Sequence, residues 1–190
     1  MELHEKKQNN LQKIIIVTGE RGEGKTTFVK KIIDVLKDEG LETKGFLSLA
    51  LFDDEIKIGY NLLNIPDNKV ASFIRTNEFQ GMVKFRKYYF SNEGIIWGNK
   101  ILLSYKKNTS DILVIDEIGP LELEGGGWAE SLNELVKLPQ FKMIWIVRKE
   151  ILEEVIKKWG LLNPVIIDVS QTTVDSAKEI ILKMFSFSVQ

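Results

Sequence analysis

The chain predicts an α/β fold, a mostly parallel sheet flanked by helices with an antiparallel hairpin at one edge. Short β-rich apolar runs alternate with helix-patterned segments along its 190 residues, the order that builds parallel sheets covered by helices. One pair of strand-like runs is joined only by Asp53-Asp54, a turn that leaves those two strands antiparallel.

Residues 14–18, Ile-Ile-Ile-Val-Thr, read as a buried strand. A helix is expected over 25–39, with Phe28, Ile32, Val35 and Leu36 on one side and Gly40 ending it. Residues 45–52 and 55–63 form the hairpin, and Pro66-Asp67-Asn68 is a second turn. Residues 83–90 predict one further strand. A helix follows over 93–106, although Gly94 and Gly98 weaken it. Residues 111–115 read as a second buried strand. Helices over 128–136, 151–159 and 174–185 and strands over 141–147 and 165–169 complete the pattern. No repeat, low-complexity tract or linker divides the chain, so 1–190 reads as one domain, with the polar 1–12 stretch a loosely held N-terminal segment.

Apolar residues make up 44% and charged residues 28%, an ordinary soluble composition. The net charge of −1 gives no general attraction to nucleic acid or an anionic membrane. With no cysteine, thiolate metal sites, disulfides and cysteine nucleophiles are excluded. The single histidine, His4, lies in the polar start and argues against histidine-based catalysis. No apolar run approaches the ~20 residues of a membrane span, and no apolar signal core precedes the first strand. A cytoplasmic location is the expectation.

The chemistry is concentrated in two motifs. Gly19-Glu20-Arg21-Gly22-Glu23-Gly24-Lys25-Thr26 fits G-x-x-x-x-G-K-[ST], between an apolar strand and a helix as the motif requires. Its glycines let successive N–H groups face a phosphate, and the helix N-terminus adds positive potential. Lys25 is expected to reach the β- and γ-phosphates, the Thr26 hydroxyl to bind Mg²⁺, and Thr27 to help hold the α-phosphate. Glu20, Arg21 and Glu23 occupy the variable positions and read as loop surface before chemistry, with Arg21 able to lean on a phosphate. The second motif is the apolar run 112–115 ending in Asp116-Glu117. Asp116, at the end of a strand, is the expected Mg²⁺ ligand. Glu117 is the candidate to orient or deprotonate the attacking water. The transition state also needs positive charge near its equatorial oxygens. Arg148, ending the 141–147 strand, and Arg75, in the loop after the antiparallel region, are the candidates.

Residues 17–27 together with Leu113-Val-Ile-Asp-Glu-Ile-Gly-Pro-Leu-Glu-Leu123 resemble the THEP1-type nucleoside-triphosphatases, whose signature pairs a GKTT loop with DEIG-x-x-E-L. The run from Gly45 and Phe85-Arg-Lys-Tyr88 are also similar, except that Phe85-Arg86 stands where the family usually has valine-glycine. The resemblance implies a RecA-like P-loop fold and slow hydrolysis of several nucleoside triphosphates, ATP or GTP among them, to the diphosphate and phosphate. It implies catalytic roles for Lys25 and Glu117 and places Glu122 on the motif's second acid, for which a loop or helix cap is as good a reading as catalysis. Glu124-Gly-Gly-Gly127 departs from the family and suggests a mobile loop.

Three other readings remain. A signalling GTPase would need N-K-x-D, which is absent. A nucleotide or small-molecule kinase would carry an arginine-rich lid, yet Arg148 is the only arginine between Trp128 and Trp159. A nucleotide-dependent accessory protein would draw on the basic-aromatic run 84–90, which a strand alternating between core and solvated faces explains more simply. The four tryptophans fit core or interface. The expected partner is a nucleoside triphosphate, with a protein partner or oligomer open and neither membrane nor nucleic acid expected.

Overall fold

The computed structural model describes residues 13–105, 112–138 and 141–185. Its strands are β1 (Lys13–Gly19), β2 (Thr43–Asp53), β3 (Ile56–Asn64), β4 (Val70–Arg75), β5 (Met82–Phe85), β6 (Tyr88–Ser91), β7 (Ile112–Ile118), β8 (Lys142–Arg148) and β9 (Val165–Asp168). The helices are α1 (Lys25–Asp38), α2 (Asn92–Ser104), α3 (Pro120–Leu123), α4 (Ala129–Leu135), α5 (Leu152–Lys158) and α6 (Val174–Phe185). The strands form one sheet in the order β5-β6-β4-β3-β2-β7-β8-β1-β9. From β2 through β9 the pairing is parallel; from β2 out to β5 it is antiparallel.

Both faces of the parallel part are covered, which is why its strands read as continuous apolar runs. Ile14 and Ile16 of β1 join the core on one face, and Ile15 and Val17 join the core on the other. In β7, Leu113 and Ile115 separate from Ile112 and Val114 in the same way, as a two-residue period requires. Helices α1 and α6 pack on the second face through Val29, Ile32, Leu36, Ala177 and Ile181. Leu102, Leu132 and Val155 bring α2, α4 and α5 to the first.

The antiparallel part is larger than the hairpin that the sequence predicts. Residues 70–75, for which the sequence predicts no strand, form β4, so Arg75, expected in a loop, ends a strand. Residues 83–90, read as one strand, fold back as β5 and β6 around Arg86-Lys87, with Phe85 paired to Tyr88. The turn between β2 and β3 is Asp54-Glu55, one residue later than expected. The helix over 93–106 forms as α2 despite its glycines, capped by Ser91 Oγ, which accepts the Gly94 N–H at 3.1 Å. Gly98 is there for space. A Cβ on it would lie 2.5 Å from the Trp128 ring, which is fully buried beside Phe46 and Phe73. Trp145 and Trp159 are also core residues, and Trp97 is half-buried. The expectations for 1–12, His4, Lys106 and Asp111 lie outside the described residues. Among the described residues no helix is long and apolar enough to cross a membrane.

Candidate active site

The parallel strands β1, β7 and β8 all end at one edge of the sheet, and the two sequence motifs meet there. Leaving β1, the chain turns through Gly22 (φ 87°) and Gly24 (φ 81°) into α1. These left-handed conformations cost glycine little. Lys25, in the first turn of α1, folds back over the loop and donates to the Gly19 carbonyl at 2.9 Å and the Glu20 carbonyl at 2.6 Å. Its pKa is lowered, chiefly by burial and further by Arg148, against the opposing pull of Glu117 and Asp116. Glu23 turns inward on the loop's own backbone and accepts the Glu20 N–H at 2.5 Å.

Asp116 ends the apolar run of β7 and is buried. Its Oδ2 accepts the Thr26 hydroxyl at 2.9 Å and the Ser48 N–H at 2.9 Å, and its Oδ1 accepts the Glu117 N–H at 2.8 Å. Burial, reinforced by the charge of Glu117, pushes its pKa up to about 7 against these three donors. Glu117 has φ 56°, and the β7–β8 register shifts between Ile115 and Ile118. Regular strands send successive side chains to opposite faces. The left-handed residue breaks that alternation, so that Asp116 and Glu117 line the same cavity, at a cost on the order of 1–2 kcal/mol. Arg148, at the end of β8, lies 3.5 Å from the Glu117 carboxylate and 3.8 Å from Glu150.

Arg21, Gly22, Gly24, Lys25, Thr26, Thr27, Asp116, Glu117 and Arg148 line one cavity of about 360 Å³; Gly19, Glu20 and Glu23 do not. Arg21 reaches away to β6 and donates to the Tyr88 hydroxyl at 2.6 Å. Arg75 is elsewhere. Its guanidinium is taken up by the carbonyls of Tyr60 (2.8 Å) and Ile74 (2.7 Å) and by Asn61 Oδ1 (2.7 Å). Glu122 is a cap, as its alternative reading holds. Its Oε2 accepts the Gly119 N–H at 2.8 Å and its Oε1 the Trp128 N–H at 3.4 Å. The glycine-rich 124–127 stretch folds tightly under α3, with Gly125 N–H on Glu122 O and Gly126 N–H on Leu121 O.

Three polar contributors escaped the sequence: Ser48, Lys57 and Tyr60, which line the cavity from β2 and β3. Nothing in their local pattern marks them, because they reach the site through strand pairing. The Ser48 hydroxyl is buried without a partner. Thr26 Oγ1, Asp116 Oδ2 and Ser48 Oγ are hard oxygen donors, the kind Mg²⁺ takes. Among the described residues no group of three or more His, Cys, Asp or Glu is placed to hold a metal. The donors present therefore fit an ion whose remaining ligands are phosphate and water.

A family model described as NTPase matches residues 14–182. This chain belongs to the NTPase family. The Nucleoside-triphosphatase THEP1 of Caldivirga maquilingensis is 28% identical over 127 residues, 67% of this chain and 70% of the relative. That of Sulfurisphaera tokodaii is 39% identical over 110 residues, 57% and 62% of the two chains. Among solved structures, the crystal structure of THEP1 from Aquifex aeolicus superposes with a TM-score of 0.68 at 23% identity, covering 92% of this chain and 99% of that one. The solution structure of a human cancer-related nucleoside triphosphatase gives 0.69 at 18% identity, covering 94% and 100%. These two likenesses show the fold alone, a mostly parallel sheet flanked by helices.

Proposed function

We propose that this NTPase-family chain hydrolyses nucleoside triphosphates to diphosphate and phosphate with Mg²⁺, using Glu117 to activate water. The observation that carries this reading is the meeting of Thr26, Asp116, Glu117 and Arg148, from three separate segments, at one cavity beside Lys25.

Each residue then has a definite task. Lys25 leaves the Gly19 and Glu20 carbonyls for the β- and γ-phosphate oxygens. Gly22 and Gly24 let the loop N–H groups face the phosphates. Thr27 lines the α-phosphate side. Thr26 and Asp116 would hold the metal. A bound Mg²⁺ would supply positive charge at the phosphate oxygens and would keep Asp116 ionised beside it. Arg148 moves from Glu117 towards the charge that develops on the transferred phosphoryl group. That frees the Glu117 carboxylate to take a hydrogen bond from water lined up with the terminal phosphorus.

The test is phosphate release from ATP, GTP, CTP and UTP, with Mg²⁺ and with EDTA, for the wild type and Glu117→Gln. Mg²⁺-dependent release that falls at least 100-fold in the variant, with nucleotide binding kept, is expected from the usual size of general-base catalysis. Release at the wild-type rate from Glu117→Gln would remove Glu117 from the mechanism.

A further inference from the structure

Beside the phosphate cavity lies a second chamber of about 200 Å³. Arg21, Tyr60, Glu117 and Arg148 line both spaces. The β5–β6 turn walls the chamber with Arg86, Lys87 and Tyr88, and Phe90, Pro120 and Leu121 supply an apolar surface. We propose that this chamber binds a single-ring aromatic phosphomonoester next to the terminal phosphate of the nucleotide. Its position relative to the nucleotide rests on the function proposed above; the binding itself does not.

Charge gives the first reason. Four cations reach the chamber from three parts of the chain: Arg21 from the phosphate loop, Arg86 and Lys87 from the hairpin turn, and Arg148 from β8. The lining carboxylates are Glu117 and Glu122. Glu122 directs its oxygens at backbone N–H groups, and burial holds its pKa up at about 8, so the cations dominate near neutral pH. The present partner of Arg86 is easily exchanged. Arg86 pairs with Glu124 at 2.8 Å with both side chains more than half exposed, a class of ion pair that contributes little. An incoming phosphate therefore displaces a weak partner and gains several donors.

The backbone gives the second. Arg86 has φ 54°, a left-handed conformation that favours glycine. A long cationic side chain held there at the mouth of a chamber points to a use for the charge. The lining gives the third. Tyr60, Tyr88 and Phe90 bring aromatic surface to the chamber, and Lys87 already lies 5.4 Å from the Tyr88 ring centroid. A flat ring stacks or meets such surfaces edge-on, while its phosphate stays with the guanidinium groups at the rim. Finally, about 200 Å³ is smaller than the roughly 300–1,000 Å³ of pockets for larger ligands, which suits one substituted ring and excludes a second whole nucleotide.

The experiment titrates phenyl phosphate into the full chain by calorimetry, with Mg²⁺ and a saturating non-hydrolysable ATP analogue to occupy the phosphate loop. One equivalent is expected to bind the wild type. The doubly substituted Arg86→Gln, Lys87→Gln variant, changed only at exposed turn positions, is expected to bind at least tenfold more weakly while keeping its affinity for the analogue. Inorganic phosphate at the same concentration is expected not to displace phenyl phosphate. Absent binding, equal affinity in the variant, or displacement by inorganic phosphate overturns the proposal. If phenyl phosphate binds with the stated sensitivity but the analogue does not bind at all, the chamber stands and the assignment of the neighbouring cavity falls.

Discussion

Replacing Glu122 by glutamine separates the electrical cost of this buried acid from its service as a cap. The side chain is 2% exposed, and burial, with a smaller push from the charge of Glu117, raises its pKa to about 8 in spite of the Gly119 and Trp128 N–H groups. Unfolded, a glutamate titrates near 4.3. The folded protein therefore keeps a proton that the unfolded chain has lost. Stability is fully present below about pH 4.3 and declines as pH rises towards about 8, where the folded form also ionises. The slope is up to ~1.4 kcal/mol per pH unit, and the whole window amounts to a ceiling on the order of 5 kcal/mol. Glutamine retains an acceptor for the Gly119 N–H and has no proton to lose. Asp116, also raised, to about 7, acts in the same direction but is common to both proteins. The stability of Glu122→Gln relative to wild type should therefore climb by roughly 1 kcal/mol per unit between pH 5 and pH 8. Urea unfolding at four pH values in EDTA measures it. Parallel stability profiles for the two proteins would refute the raised pKa and the reasoning built on it.

Three further outcomes are expected. Lys25→Ala should abolish tight triphosphate binding, read by calorimetry, because the ammonium now lying on the Gly19 and Glu20 carbonyls is the loop's cation expected to take the β- and γ-phosphates. Arg148→Ala should lower kcat by roughly 100- to 1,000-fold, the usual loss when one transition-state donor is removed, with little change in nucleotide affinity; unchanged kcat in steady-state assays would exclude it. Gly98→Ala should destabilise by about 1–2 kcal/mol in urea unfolding, since the new methyl would lie 2.5 Å from the packed Trp128 ring, an overpacking cost that the better helix propensity of alanine offsets only in part.

What could be read from sequence was local. The strand before the phosphate loop, helix α1 and the Asp116-Glu117 strand end all carry strong short-range patterns, and each forms as expected. The β5–β6 hairpin was hidden because its turn, Arg86-Lys87, contains none of the glycine, asparagine or proline that usually announces one. The one available clue was that Phe85-Arg86 replaces the valine-glycine usual in similar proteins, since a glycine there suits the φ of 54°. Strand β4 escaped for another reason. Only Phe73 and Ile74 within it are buried, too short a run to stand out. Strand order is a property of non-local pairing, so the arrival of Ser48, Lys57 and Tyr60 at the cavity had no sequence signal. The left-handed backbone at Glu117 was equally silent, because it arises where the β7 register slips against β8.

The order β7-β8-β1 also sets a distance. The strand that feeds the phosphate loop and the strand that carries the carboxylates are not neighbours, so their ends stand two strand spacings apart, about 10 Å. Side by side, at about half that separation, the two strand ends would leave less room between them for a triphosphate, although Thr26 and Asp116 reach each other even across the present gap. The intervening strand works as a spacer, and its last residue is Arg148. That guanidinium lines the cavity between the loop and the carboxylates, which makes the middle strand the common boundary of both halves.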